Sequence, residues 1–174
     1  AGASGSGPLK PPGENDPNTQ REKLTVFTTR ADTTFGVTYV AIAPEHPLVD
    51  RILQLVDPRT HKRIAEFVKE TLNMTEQDRA SGDEKEGVAT GMFAVNPLNG
   101  EKIPVFVANY VLMYGTGAVM AVPAHDERAH EFAREYRLPM KQVIKPAPGS
   151  DDEVEMKEEA YTAEGVLIES GAYT

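Results

Sequence analysis

Two segments concentrate side chains that could bind or transform a ligand. The first, Thr28-Thr29-Arg30-Ala31-Asp32-Thr33-Thr34, sets four hydroxyls and a guanidinium at the end of a β-prone run. Side chains at a strand end can converge on a ligand. The same residues have a plainer use: Thr fills half-buried strands, and Asp32 suits an Asx-turn. The second, Val122-Pro123-Ala124-His125-Asp126-Glu127-Arg128, places His and Asp where a helix would begin. A helix N-terminus with those groups offers polar partners to an ammonium or a reacting ester. Here too a structural reading stands beside it, since Asp126 is an ordinary N-cap and Glu127 and Arg128 are first-turn surface residues.

Other catalytic signatures are missing. No G-x-S-x-G elbow occurs, and the serines sit in Gly-rich or charged segments, which argues against a serine hydrolase. Gly115-Thr116-Gly117 resembles the start of a dinucleotide fingerprint, but Met120 stands at the third glycine position and no βαβ unit surrounds it. His125 and His130 are five residues apart, on different faces of a helix, and no H-E-x-x-H pattern supports a metal site. Zero Cys excludes disulfides, thiolate ligands and Cys nucleophiles.

Composition sets the outer frame. A chain of 174 residues with 40% apolar content can build one core. No apolar run approaches the ~18 residues that span a bilayer, and the start does not read as a signal peptide, so a soluble, cytoplasmic protein is expected. Eighteen Lys and Arg against 27 Asp and Glu give a net charge of −9. Affinity for a phosphate backbone comes mainly from clustered basic side chains, so this chain alone should hold RNA weakly. If RNA is the substrate, most of the binding surface lies elsewhere and only a single-stranded end is handled here.

These segments need elements to position them. Residues 1–20, rich in Gly, Ser, Pro and Asn, read as a flexible linker or an expression remnant, and residues 21–174 as one domain. Leu24-Thr25-Val26-Phe27-Thr28-Thr29 and Val37-Thr38-Tyr39-Val40-Ala41-Ile42 predict two strands flanking the threonine-dense turn. Asp57-Pro58 predicts a helix from about Arg59, carried by Ile64, Phe67, Val68 and Leu72 at helical spacing. Residues 75–91 read as a mobile loop. Further strands are expected at Ile103–Val107 and Ala118–Val122, separated by the Gly115-Thr116-Gly117 turn, and at Val143-Ile144 and Val166-Leu167-Ile168. A second helix should run from Asp126 to about Tyr136, ending before Pro139. Residues 151–159 form a solvated acidic loop. The sum is an α/β fold with a mixed, barrel-like β-sheet core and peripheral helices.

Leu24 to Tyr39 resembles the threonine-rich motif of class I synthetase editing domains in its leucine form, and Ala43-Pro44-Glu45-His46-Pro47-Leu48-Val49 continues the likeness. The run Tyr114-Gly115-Thr116-Gly117-Ala118-Val119-Met120-Ala121-Val122 with Pro123-Ala124-His125-Asp126-Glu127-Arg128 is similar to the second motif of the same domain. With Asn96-Pro97-Leu98-Asn99-Gly100 and Tyr161 to Leu167, the resemblance covers about Leu24 to Thr174. The valine- and isoleucine-type editing domains share the Thr-Thr and Gly-Thr-Gly-Ala-Val elements but not Phe35 to Val49. The leucine assignment over those two alternatives rests on that stretch.

The resemblance to the editing (connective peptide) domain of bacterial-type leucyl-tRNA synthetase implies hydrolysis of mischarged leucine tRNA. Thr28, Thr29 and Arg30 would line the pocket for the terminal adenosine and its aminoacyl ester. Thr33 would narrow the side-chain pocket against leucine, with Tyr114, Met120, Val122 and His125 on its wall and Arg128 beside it. Asp126 matches the family's helix-start Asp. A second Asp, three residues on, holds the substrate ammonium in the family, and Ala129 stands at that position. Val111-Leu112-Met113-Tyr114 is also one residue shorter than the usual pattern, which has an acidic residue before the Tyr. Impaired hydrolysis follows, or a domain that only binds the aminoacyl-adenosine end. No cofactor is implied for editing, and ATP and Mg belong to a synthetic domain absent here. The implied partners are leucine tRNA and the rest of a synthetase chain, with the isolated domain a monomer.

Overall fold

The computed structural model describes residues 22–82, 84–148 and 158–169, so the expected linker over 1–20 and most of the acidic loop over 151–159 lie outside the described residues. Four strands form one mixed sheet in the order β2-β3-β1-β4. They are β1 (Tyr39–Ile42), β2 (Gly87–Val95), β3 (Lys102–Ala108) and β4 (Ala118–Ala121). β1 runs parallel to β3, with Val40 opposite Val105, and antiparallel to β4, with Tyr39 opposite Ala121. β2 pairs antiparallel with β3 across an irregularity between Ala89 and Phe93. A two-stranded ribbon, β5 (Ile144–Lys145) with β6 (Val166–Leu167), completes the strands. The mixed sheet and peripheral helices are as expected, but the sheet is open among the described residues rather than closed into a barrel.

Both faces of the sheet are covered, which is why β1 reads as an unbroken apolar run rather than an alternating one. Successive strand residues point to opposite faces. Val40, Ile42, Val105 and Val107 meet Val49 and Ile52 of α1 (Pro47–Leu55) and Ile64 of α2 (Pro58–Leu72). Tyr39, Ala41, Phe106 and Ala108 meet Ala129, Phe132 and Ala133 of α4 (Glu127–Glu135). Phe132 stacks on Tyr136 at 4.3 Å and on Tyr39 at 5.2 Å and meets Phe106 edge-on at 5.4 Å. These offset and edge contacts suit the ring quadrupoles.

Local signals set the helix starts. Asp57 caps α2 by accepting from the Arg59 and Thr60 amides, with Pro58 in the first turn. Asp126 caps α4 by accepting from the Ala129 amide at 2.8 Å. Two expectations are corrected. No strand forms over residues 24–29: Thr25, Phe27, Thr28 and Thr29 are exposed and no described strand pairs with them, so β-propensity there has no pleated surface to fill. Residues 75–91 are not a loop throughout. Thr75 caps the short helix α3 (Glu76–Ser81), and β2 begins at Gly87.

Candidate functional site

Arg30 leads into a short 3-10 helix, Ala31–Gly36. The helix is built from its own hydroxyls: Thr33 Oγ1 donates to the Arg30 carbonyl at 2.9 Å and Thr34 Oγ1 to the Ala31 carbonyl at 2.6 Å. Thr28 Oγ1 accepts from the Arg30 amide at 3.0 Å. Asn96 donates to the Thr34 carbonyl at 3.1 Å from 62 residues away and anchors the turn to the end of β2. Thr33 is 3% exposed, whereas Thr28 and Thr29 are open to solvent. The threonines therefore divide between building the turn and presenting hydroxyls.

Asp32 does not form the expected Asx-turn bond; it grips Arg30. Arg30 Nε and Nη2 donate to the Asp32 carboxylate at 2.9–3.2 Å, and Nη1 reaches the Thr162 carbonyl at 3.3 Å. The shared hydrogen bonds hold the Asp32 carboxyl below its ordinary range and raise the Arg30 guanidinium. A fork held on one side by a carboxylate keeps a fixed plane, as recognition of a ribose or phosphate oxygen requires.

The 3-10 helix packs against the end of β4. A Cβ at Gly36 would come within 3.0 Å of both Val122 Cγ1 and the Lys141 carbonyl oxygen, so the bare Gly lets the helix sit this close. Met120 on β4 is half-buried, and Val122, the residue just past the strand's end, is buried in the same cluster. The chain then turns through Pro123 and Ala124 to His125. This imidazole is buried and both its nitrogens are engaged: Nδ1 lies 2.9 Å from the Tyr161 carbonyl, and Nε2 accepts from the Val143 and Ile144 amides at 3.0 and 3.2 Å. Nδ1 therefore carries the proton and donates it to Tyr161. Burial lowers the His125 pKa, keeping the ring neutral. With neither nitrogen free, His125 is a strut that joins the start of α4 to β5 and to the Tyr161 segment. The Tyr161 amide returns a bond to the Ala124 carbonyl at 2.8 Å.

Asp126 is half-exposed. One carboxylate oxygen caps α4, and the other faces Arg128 Nη2 at 4.0 Å. Ala129 is 3% exposed and packs in the cluster of Tyr39, Tyr110 and Phe132. The Tyr39 and Tyr110 hydroxyls lie 2.8 Å apart, and Tyr39 also donates to the Ala129 carbonyl at 3.3 Å. Burial raises the pKa of both phenols, so they stay protonated. Tyr114 stands apart from this group: it precedes the Gly115–Gly117 turn, at the end of β4 away from Val122, and is 74% exposed with its hydroxyl on Glu76 at 2.9 Å.

The fold thus gathers Arg30, Thr33, Met120, Val122, His125 and Asp126 around one end of the β1–β4 pair, although the two segments lie about 90 residues apart in the chain. Asp32, Asn96 and the Tyr161–Thr162 carbonyls are the partners that sequence reasoning missed. The charge pair at positions 30 and 32 could have signalled Asp32; main-chain carbonyls carry no residue-type signal. The site offers hydroxyls, an oriented cation and a half-exposed carboxylate at a helix start. That combination can bind a polar ligand and orient a water, while its imidazole has no free nitrogen to act as a base.

Residues 16–174 match the family model described as "Leucyl-tRNA synthetase, editing domain". The chain is 52% identical over 156 residues to a leucine–tRNA ligase of Petrotoga mobilis and 48% identical over 155 residues to one of Desulfotalea psychrophila. These alignments cover 87% and 88% of this chain but only 18% of each relative, so the chain spans less than a fifth of their length. Among solved structures, the LeuRS–tRNA–LeuAMS ternary complex from Agrobacterium radiobacter is similar, with TM-score 0.58 and 36% identity. That likeness covers 76% of this chain and 15% of the other.

Proposed function

The chain belongs to the leucyl-tRNA synthetase editing-domain family, and from that premise we propose that it receives the aminoacylated terminal adenosine of leucine tRNA and hydrolyses noncognate esters such as norvalyl, isoleucyl or methionyl. The observation that carries this reading is the convergence of the threonine-rich turn, the end of β4 and the start of α4 on one locus. The reaction is attack of an oriented water on the ester carbonyl, with Thr28, Thr29 and Arg30 holding the adenosine end. Thr33, Met120 and Val122 bound the side-chain pocket and Arg128 flanks it, while Tyr114, at the other end of β4, is left out of the wall. Positioning and hydrogen bonds to the developing oxyanion supply the rate, and no cofactor is needed. Leucine tRNA and the remainder of a synthetase chain, which brings its own ATP and Mg, are the partners.

Hydrolysis is weakened here because Ala129, buried beside Tyr39 and Tyr110 in the first turn of α4, stands at the position of the family's ammonium-holding carboxylate. One Asp126 oxygen is already committed to the helix cap. A second reading, binding of the aminoacyl-adenosine end without turnover, draws on the same residue. Deacylation of isoleucyl leucine tRNA by this chain and by Ala129→Asp tests both. A charge-assisted hydrogen bond is worth about 1.5–3 kcal/mol, so Ala129→Asp should be roughly tenfold to a hundredfold faster. Equal rates in two folded proteins would remove position 129 from the site. A substantial rate in the unsubstituted chain would remove the binding-only reading.

A further inference from the structure

The turn Asn96-Pro97-Leu98-Asn99-Gly100, between β2 and β3, has no part in the chemistry above, yet Asn96 is 3% exposed and its polar atoms are all engaged. Its amide donates to the Glu101 carbonyl at 2.9 Å, and its carbonyl accepts from the Gly100 amide at 2.8 Å. Its side-chain oxygen accepts from the Leu98 amide at 3.0 Å, and its side-chain nitrogen donates to the Thr34 carbonyl at 3.1 Å. Left-handed Gly100, at φ 73°, lets the turn close this tightly. The Asn96 side chain is therefore oriented by its own turn before it meets Thr34.

The threonine-rich 3-10 helix needs such a hold. Its bonds span three residues, with poorer geometry than those of an α-helix, and the closing one, from the Val37 amide to the Thr34 carbonyl, is long at 3.4 Å. Bonds of this kind give the helix its shape but not its place in the fold. Its place comes from outside. Gly36 rests against Val122 Cγ1 and the Lys141 carbonyl, and the Lys141 ammonium pairs with Glu101, the residue that closes the Asn96 turn. Asn96 holds the Thr34 carbonyl directly. The β2–β3 turn thus reaches residues 34–36 by two routes, and Thr33 immediately precedes them, buried, with Oγ1 on the Arg30 carbonyl.

We infer that Asn96 is a positioning residue for leucine exclusion, acting through the Thr34 carbonyl to hold the turn whose Thr33 bounds the side-chain pocket. This rests on the function proposed above. Leucine and isoleucine differ only in where one methyl branches, so a wall that excludes by shape fails if it can yield. Asn96→Ser keeps an acceptor for the Leu98 amide, more weakly, and is too short to reach Thr34. Asn96→Asp keeps the oxygen that accepts from Leu98 and sets a second oxygen against the Thr34 carbonyl. Asn99→Ala loosens the same turn without removing the Asn96 bond, since Asn99 Oδ1 accepts from the Glu101 amide at 3.0 Å.

Amide hydrogen exchange and affinity for non-hydrolysable leucyl- and isoleucyl-adenosine amides, measured on the full chain at pH 8, where the carboxyl introduced by Asn96→Asp is ionised, test the inference. In Asn96→Ser, exchange at the Thr33 and Val37 amides should rise about tenfold while β1 and β3 keep their protection. The unsubstituted chain should favour the isoleucyl amide, and Asn96→Ser should cut that preference about tenfold, chiefly by binding the leucyl amide better. Asn96→Asp should go at least as far, and either variant alone decides if the other does not fold. Asn99→Ala should leave the preference unchanged. Unchanged exchange at Thr33 and Val37 overturns the inference, as does an equal weakening of both amides, which is what a merely structural turn would give. A preference that Asn99→Ala reduces as far, or an unsubstituted chain that binds both amides equally, overturns it too. An unsubstituted chain that binds neither amide overturns the functional proposal instead.

Discussion

Thr33 sits where the threonine-rich turn closes over the end of β4, and it carries two demands at once. Its hydroxyl completes the turn through the Arg30 carbonyl, and its stiff, β-branched body is 3% exposed. An editing pocket must accept near-misses and exclude the correct product, and one methylene in an apolar pocket is worth only about 10–200-fold, so exclusion of leucine has to be steric. Thr33→Ala should therefore admit leucine. In the Ala129→Asp background, the ratio of leucine to isoleucine released from charged tRNA should rise by at least about tenfold, the weight of one such steric contact. Thr33→Ile should suppress release of every noncognate amino acid. If Thr33→Ala folds and the ratio does not move, Thr33 serves only the turn, a role its hydrogen bond already satisfies.

At the scale of elements, α4 and β2 are joined at Gly87, and this junction fixes the helix that presents Asp126. The Gly87 amide donates to the Tyr136 hydroxyl at 2.8 Å. A Cβ there would lie 2.7 Å from the Val107 carbonyl oxygen and 2.9 Å from Phe132 Cε2. A backbone oxygen inside a strand pair cannot yield, and Phe132 is already stacked between two tyrosines. Gly87→Ala should therefore destabilise the fold by about 1–3 kcal/mol, the usual cost of overpacking, read as a fall in the urea midpoint. An unchanged midpoint would mean that β2 and α4 can slide apart freely and that α4 is not held by this contact. Most elements were legible from local chemistry: the Asp57 and Asp126 caps, the β-branched run of β3, the apolar run of β4 after its glycine turn, and the stop of α4 before Pro139. α1, β2 and α3 were not; in α3 five of the six residues are polar and its decisive member, Arg79, has acceptors 30 and 32 residues away.

For the whole molecule, pH reports how the buried groups are held. His125 and His46 both have pKa values lowered by burial, so at low pH the unfolded chain takes up protons that the native chain resists. Stability is full above the unfolded value of about 6.5, falls by up to about 1.4 kcal/mol per pH unit per histidine as pH drops from there toward the lower folded values, and levels off below them. Glu45 and Asp32 are held low by hydrogen bonds to Arg79 and Arg30 despite burial, so their contribution is present above about pH 4 and lost below it. Urea midpoints should be flat above pH 7, then fall as pH drops below about 6.5, with His125→Gln flattening much of that step. A step that survives His125→Gln unchanged would show that His125 is not held neutral. Residue order alone determined the family likeness, the mixed α/β character, the caps and the two candidate segments, because each depends on residue type and short-range spacing. Only the tertiary structure decided that residues 24–29 form no strand, that Asp32 grips Arg30, that both His125 nitrogens are spent, and that Arg79 clamps the segment before Tyr114. Each of those outcomes depends on which distant backbone carbonyl, amide or strand edge arrives as a partner, and a main-chain group has the same chemistry at every position in the sequence.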